Sequence, residues 1–443
     1  MKESQREEQG VSPLDRAHGY RLEGDVDNAL RLAVSILVAS ENDLGAAALV
    51  TRILADSGRN EVAGASAKFL VKSYISRGDL ASACVAARIG ADAGLDEGGL
   101  LRAIAEAFGK GSSAVKDGSL SPPPLPLEVE IAPFFEKLSG EQLFGSAEKA
   151  LQRFMQKPGS SPDIVRLPRL PLFGAIEPPV LEKLLRLQRI LEVKPGQYVV
   201  KQGEEGKEAY VVVRGVLNVV RENGSNVKLL AALGPGAIFG EMALVSQAPR
   251  AASVVAVEPV QLLVISREHL EQLAGREPVV ARELSSFCHG RMVSNLMRHS
   301  AIFAAIHPKK RQEMITRFEA RAFDKGGLLV REGQEAEGLF LIASGGVQVT
   351  TFDKEGDLVV LAELGPGDVV GEISLLLRRP ATADVVAIHP TVALQLTRGK
   401  FQETIRENPT LLAELYELAT KREEETRSVV AQQALDVRDV VLL

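Results

Sequence analysis

The chain has 443 residues, 52 Lys and Arg against 58 Asp and Glu, and a net charge of −6. That length suits two or three domains, and the charge balance excludes a general attraction to nucleic acid or to an anionic membrane. MKESQREEQG lacks the apolar core of a signal peptide and LRLAVSILVAS is interrupted by Arg31, so nothing approaches the roughly 18 uninterrupted apolar residues that span a bilayer.

Cys84 and Cys288 lie far apart and fit a reducing cytoplasm rather than a disulfide framework. From about residue 14 to 110 the chain is Ala- and Leu-rich with helical periodicity: Leu30, Ala33 and Leu37 share one face, as do Leu80, Ala83, Cys84 and Ala87. Gly24-Asp25 and Gly78-Asp79 each follow a Tyr-containing helical run and predict hairpin turns. Their separation of 54 residues departs from the roughly 34-residue period of tetratricopeptide repeats, which the region resembles only loosely. Such hairpins suit a protein-binding surface; a bundle that only packs fits the same pattern.

GKGSSAVKDGSLSPPPLP, residues 109–126, then breaks the periodicity, Gly and Ser giving flexibility and Pro122, Pro123, Pro124 and Pro126 stiffness. The segment 111–171 is expected to be a linker holding one short amphipathic helix through Phe134, Leu138, Leu143, Phe144, Leu151 and Phe154. Beyond about Leu172 the pattern changes to short β-branched runs broken by glycines, the signature of an antiparallel β roll. Gly196, Gly203 and Gly215 return as Gly326, Gly333 and Gly345 at an offset of 130, and Gly240-Glu241 returns as Gly371-Glu372 at 131. Ser266 and Thr397 stand 131 apart as helix N-caps. The fold class is therefore α+β and multidomain: all-α helical hairpins over 14–110, two antiparallel jelly-roll domains with flanking helices over 172–299 and 300–427, and a tail over 428–443.

Within the first roll, FGEMALVSQAPRAASV leaves a strand and starts a helical turn at Gly240, Glu241, Met242 and Ala243. Helix-opening amides lack internal partners and attract anions, small residues let a ligand approach the backbone, and Arg250 can grip phosphate oxygens bidentately. Glu241 would repel phosphate unless it points to a sugar hydroxyl. A turn that merely closes the roll, with Arg250 paired to a surface carboxylate, is the competing reading.

This stretch resembles the phosphate-binding cassette of the cyclic-nucleotide-binding domain, the β-roll module of catabolite activator proteins, cyclic-nucleotide-gated channels and regulatory subunits of cyclic-AMP-dependent protein kinase. The resemblance covers both rolls and excludes the N-terminal region. It implies that Glu241 holds the ribose 2′-hydroxyl and Arg250 the cyclic phosphate, with Gly240, Met242, Ala243, Ala251 and Ala252 completing the site. Family members with Thr or Ser after the Arg favour cyclic GMP, so Ala251 implies cyclic AMP as ligand and cyclic GMP as second choice.

The second cassette, VGEISLLLRRPATADV, keeps Gly371 and Glu372, continues through Ile373 and Ser374, and has Ala381-Thr382 where the first has Arg250-Ala251. Losing that cation forfeits about 1.5 to 3 kcal/mol, roughly ten- to more than a hundredfold in affinity. The second roll is expected to be degenerate, with Asp384 adding repulsion if it faces the pocket and Arg378 or Arg379 as the candidate substitutes.

Neither roll leaves room for a DNA-reading module, and no inhibitory Arg-Arg-x-Ser/Ala segment precedes the first. The six His (His18, His269, His289, His299, His307, His389) lack ligand spacing and are expected at surfaces or helix ends; no metal, cofactor or enzymatic activity is expected. After the first roll, Leu284, Phe287, Met292 and Leu296 form an apolar helical stripe interrupted by Gly290. The expected function is a cytoplasmic sensor: nucleotide draws the cassette and the helix near Ser266 to Ser300 together, and the N-terminal helices pass the change to a protein partner. The alternative is a nucleotide-independent scaffold or oligomerisation protein; a homo-oligomer is left open.

Overall fold

The computed structural model describes residues 11–40, 42–112, 129–156, 174, 176–223, 226–244, 249–283, 314, 317–352 and 356–440. Leu284, Phe287, Met292, Leu296, Gly290, Cys288, His289, His299 and His307 lie outside them. Contacts divide the chain into two compact units, Met1–Val200 with Glu208–Phe239 and Ser253–Leu284, and Lys201–Lys207 with Gly240–Ala252 and Ser285–Leu443. No helix among the described residues is long and apolar enough to cross a membrane.

The first unit opens with α1 (Pro13–Glu23), α2 (Val26–Ala39), α3 (Leu44–Asp56), α4 (Asn60–Arg77), α5 (Leu80–Asp92) and α6 (Glu97–Phe108). Both expected turns are present: Gly24 and Gly78 end α1 and α4, and the Asp25 and Asp79 carboxylates accept from the Asn28 and Ser82 amides. Asp43 and Asp96 cap α3 and α6 in the same way; such a cap contributes about 1 kcal/mol. Leu30, Ala33, Leu37, Leu80, Ala83, Cys84 and Ala87 are all buried.

The short α7 (Pro133–Glu136) is followed by α8 (Gly140–Gln156), a 17-residue helix that buries Leu143, Leu151 and Phe154. It rejoins the bundle, where Phe154 meets Phe69 edge-on and Arg59 pairs with Glu141 and Glu148 over the Phe144 ring. Phe134, expected on the apolar stripe, is two-thirds exposed in α7. α9 (Pro178–Arg186) then leads into the roll.

The first roll contains β1 (Arg189–Val193), β2 (Tyr198–Val200), β3 (Glu208–Arg214), β4 (Leu217–Asn223), β5 (Asn226–Leu233), β6 (Ile238–Phe239), β7 (Ser253–Ala256) and β8 (Val260–Ser266), then α10 (Arg267–Arg276). Its sheets run β1-β8-β3-β6 and β2-β7-β4-β5, antiparallel throughout, and enclose Val193, Val212, Leu217, Leu262 and Val264. Within this unit the helices rest on the roll. The Asp15 carboxylate pairs with Arg214, Arg21 with Glu192, and Arg88 donates to the Gln188 carbonyl at 2.9 Å. His18 is buried at this seam rather than at a surface.

The second unit repeats the roll with β9 (Glu319–Phe323), β10 (Leu328–Val330), β11 (Gly338–Ser344), β12 (Val347–Phe352), β13 (Leu358–Leu364), β14 (Val369–Val370), then α11 (Glu372–Leu377), β15 (Asp384–Ala387) and β16 (Thr391–Thr397). Its sheet orders, β9-β16-β11-β14 and β10-β15-β12-β13, match the first pair strand for strand. Register shifts recur too: between Tyr198 and Val200 as between Leu328 and Val330, and between Val212 and Arg214 as between Ile342 and Ser344. Gly215 and Gly345 both have φ +84° and sit too close to neighbouring backbone for a Cβ. α12 (Arg398–Glu407) and α13 (Pro409–Val440) cover one sheet through Phe401, Leu411 and Leu415. Ser266 and Thr397 hold the N-cap positions of α10 and α12, but neither side chain makes a capping hydrogen bond.

Candidate functional site

The first cassette leaves β6 through Gly240, whose φ of +73° reverses the chain, and continues as a single 3-10 turn, Glu241–Leu244. Ala243 N donates to the Gly240 carbonyl at 3.0 Å. One turn carries little of a helix dipole, so the charge here comes from Arg250. The Arg250 Nη1 reaches back to the Gly240 carbonyl at 3.1 Å and ties the two arms of the cassette together. Arg250 is fixed through its own backbone as well: its carbonyl accepts from Gly203 N and its amide donates to the Glu204 carbonyl, both at 2.9 Å.

Glu241 is 6% exposed and Ala243 is buried, while Ala251 is exposed and Ala252 half-buried. Met242 goes elsewhere: its side chain packs on the apolar cluster of the same unit that includes Met314, Phe318, Leu375 and Leu411. Of the seven residues expected at this site, Gly240, Glu241, Ala243 and Arg250 are thus drawn into one hydrogen-bonded or buried arrangement.

The second cassette keeps this frame. Gly333 N donates to the Ala381 carbonyl at 2.9 Å and Ala381 N to the Gln334 carbonyl at 2.8 Å, the bonds made by Arg250 one repeat earlier. All six expected residues, Gly371, Glu372, Ile373, Ser374, Ala381 and Thr382, line one cavity of about 170 Å³. Ser374 replaces Ala243 and uses its hydroxyl structurally, accepting from Ala336 N at 3.0 Å and donating to the Arg379 carbonyl at 2.8 Å. The cassette has an α-helix of six residues here, α11, in place of the 3-10 turn.

A family model, "Cyclic nucleotide-binding domain", matches residues 190–277 and again 320–408. The chain carries two cyclic nucleotide-binding domains in tandem. The cAMP-dependent protein kinase regulatory subunit of Dictyostelium discoideum is 31% identical over 212 residues, 47% of this chain and 62% of that protein. The type II regulatory subunit of Drosophila melanogaster is 27% identical over 223 residues, 50% of this chain and 56% of its own length. The match therefore spans somewhat over half of these curated relatives. Among solved structures, the regulatory domain of Toxoplasma gondii PKA with cAMP matches at 21% identity and a TM-score of 0.28, over 57% of this chain and 92% of that one.

Three features of the tandem domains escape sequence reasoning. The first is Gly206, directly beneath the Arg250 guanidinium: a Cβ there would stand 2.1 Å from Nε. The repeat has Ala336 at this point, a signal present in the sequence because the glycine and the arginine disappear together. The second is Arg422, which lines the second cavity from α13 and places Nη1 2.8 Å from the Glu372 carboxylate and 2.5 Å from the Val369 carbonyl. The third is the orientation of the remaining charges. Arg379 pairs with Glu423 at 2.7 Å, Arg378 is exposed, and Asp384 accepts from Glu332 N at 2.6 Å; none of the three lines the cavity. Asp384 therefore does not face this cavity, and neither Arg378 nor Arg379 enters it.

His18 and His269 lie on helices and His389 in the turn before β16. Among the described residues no group of three or more His, Cys, Asp and Glu is arranged to hold a metal ion.

Proposed function

We propose that the chain is a regulatory protein whose first roll binds a cyclic nucleotide and whose second roll does not grip a cyclic phosphate. The observation that carries this reading is the shared cassette frame: equivalent backbone hydrogen bonds surround Arg250 in one copy and Ala381 in the other. In the first roll Arg250, held between Gly240 and Gly206, grips the phosphate, and buried Glu241 takes the ribose hydroxyl. Ala251, which offers no hydroxyl, favours cyclic AMP over cyclic GMP, and the relatives' names as cAMP-dependent kinase regulatory subunits support that choice.

The same names make a kinase catalytic protein the partner class to try first. The helical segment is the proposed surface for it, because its seam with β1, through Arg21 and Arg88, ties it to the first roll. A ligand moves such an equilibrium only as far as its affinities for the two arrangements differ. The chain is proposed to act without enzymatic activity of its own, in the cytoplasm.

Calorimetric titration of the whole chain with cyclic AMP and cyclic GMP, beside Arg250→Ala, tests this. One site per chain, weakened roughly ten- to more than a hundredfold in the variant, is the expected result. Two sites of similar affinity would overturn the silent second roll, and no heat from either nucleotide would leave a scaffold.

A further inference from the structure

Inside the first unit, the seam between the helices and the roll forms an open cleft of about 550 Å³. Five arginines line it: Arg21 from α1, Arg52 from α3, Arg88 from α5, and Arg186 and Arg189 at either end of the turn from α9 to β1. Among the described residues Glu192 is the one carboxylate in the lining.

The other acidic partners are not among the lining residues. Arg52 bridges Asp56 and Asp92, Arg88 meets Glu97 at 2.7 Å, and Arg186 and Arg189 meet Glu182 and Glu208 at 2.8 Å. Such pairs engage one or two of the five N–H donors that each guanidinium carries. The pairing therefore orients the arginines without exhausting them. With Glu192, these carboxylates balance the arginine charges, so the attraction for an anion rests on the guanidinium N–H donors left over rather than on net charge.

A second observation, an unpartnered buried side chain, points to a ligand. Gln188 lines the same cavity, is 5% exposed, and among the described residues has no hydrogen-bond partner for either its Oε1 or its Nε2. Arg21 Nε, in the same wall, is also buried without a partner among the described residues. Buried polar groups are normally bonded, and an exception needs a ligand, an ion or a water to explain it.

We infer that this cavity binds a small phosphorylated organic molecule at a site separate from either cassette. Guanidinium forks suit phosphate oxygens, the Gln188 carboxamide offers a donor and an acceptor to a hydroxyl or ring, and Val85, Ile89 and Leu191 supply apolar wall. The volume falls within the usual range for small-ligand pockets, about 300 to 1,000 Å³. Because its wall comes from both the helices and the roll, occupancy would fasten one to the other.

The test is calorimetry on the full chain with pyrophosphate and with ribose 5-phosphate, which lack a nucleobase, against sodium sulfate at matched ionic strength. One saturable site is expected for at least one phosphate, weaker for sulfate. Arg52→Gln and Arg189→Gln should each weaken it roughly tenfold or more. Gln188→Leu, which removes the orphaned amide and should fold at least as well, should weaken it also, whereas Arg250→Ala should leave it unchanged. No saturable binding of either phosphate, equal affinity for sulfate, indifference to all three seam variants, or loss of binding in Arg250→Ala would each overturn the inference.

Discussion

The Arg250 guanidinium lies where a side chain on residue 206 would begin: a Cβ added to Gly206 would come within 2.1 Å of Nε and 2.2 Å of Cζ. One repeat later Ala336 carries that Cβ, and the cassette it faces has Ala381 in place of the arginine.

Gly206→Ala should therefore damage the ligand site without damaging the fold. Gly206 does not have a positive φ, so the backbone accepts alanine, and only the far end of Arg250 must move. Displacing one charge-assisted contact costs about 1.5 to 3 kcal/mol at most. The expected outcome is a loss of cyclic AMP affinity of roughly tenfold with an unchanged melting temperature, read by calorimetry and thermal unfolding.

The reverse exchange should work in the second roll. Ala381→Arg alone would drive the new guanidinium against the Ala336 methyl; with Ala336→Gly the pocket regains the Gly206–Arg250 arrangement on a matching frame. The double variant is expected to titrate a second equivalent of cyclic AMP while Ala381→Arg alone gains little. Two sites already present in the wild-type chain would contradict the premise.

Much of this was legible because the fold was written twice. Gly196, Gly203 and Gly215 and their copies at an offset of 130 announce the rolls, and two rolls of identical strand order follow. Gly24-Asp25 and Gly78-Asp79 are local signals too, legible as turns, and the structure adds that each Asp caps the helix it opens. Arg422 and the Asp15–Arg214 pair were not legible. The first meets Glu372 across 50 residues and the second closes across 199, with no periodicity to link the partners. Met242 misled for a related reason: sequence gives its place in the cassette but not the apolar cluster that draws its side chain away.

Arg422 makes a stability prediction. Glu372 is 2% exposed and meets Arg422 at 2.8 Å, so Arg422→Leu leaves a carboxylate buried beside an apolar cavity wall. Breaking a buried pair on one side costs about 3 to 5 kcal/mol; with the Arg422 side chain 21% exposed the low end applies. Glu372→Gln should offset most of that loss in the double variant, because no charge is then stranded. Denaturant unfolding of the four proteins of the cycle measures the coupling, and strictly additive effects would remove Arg422 as the partner of Glu372.

Cys84 gives a simpler one. It is buried in α5, and burial, with Asp79 nearby, pushes its thiol up to about 12. The thiolate is the reactive form. In a Cys288→Ser background the native chain should therefore be nearly inert to a thiol reagent at pH 8 and react fully once unfolded; rapid labelling of the native protein would contradict the buried placement.

His18 sets the pH dependence of the seam. Burial, then the Arg214 and Arg21 charges, holds its imidazole well below the ordinary 6.5. Below that value the unfolded chain takes up a proton that the folded chain refuses, so protonation favours unfolding. The His18 contribution is fully present above about pH 6.5 and is lost on acidification, at about 1.4 kcal/mol per pH unit, until the folded imidazole itself titrates. Glu258, whose carboxyl is raised by burial and by Asp15, titrates in the same neighbourhood with the opposite sign. The quantity to measure is therefore the stability difference between the wild type and His18→Phe at pH 7.5, 6.0 and 5.0. That difference should shift in favour of the variant as the pH falls. A difference that does not change with pH would mean that the folded chain protonates His18 as readily as the unfolded one, and the seam between α1 and the first roll would then open to accept the charge.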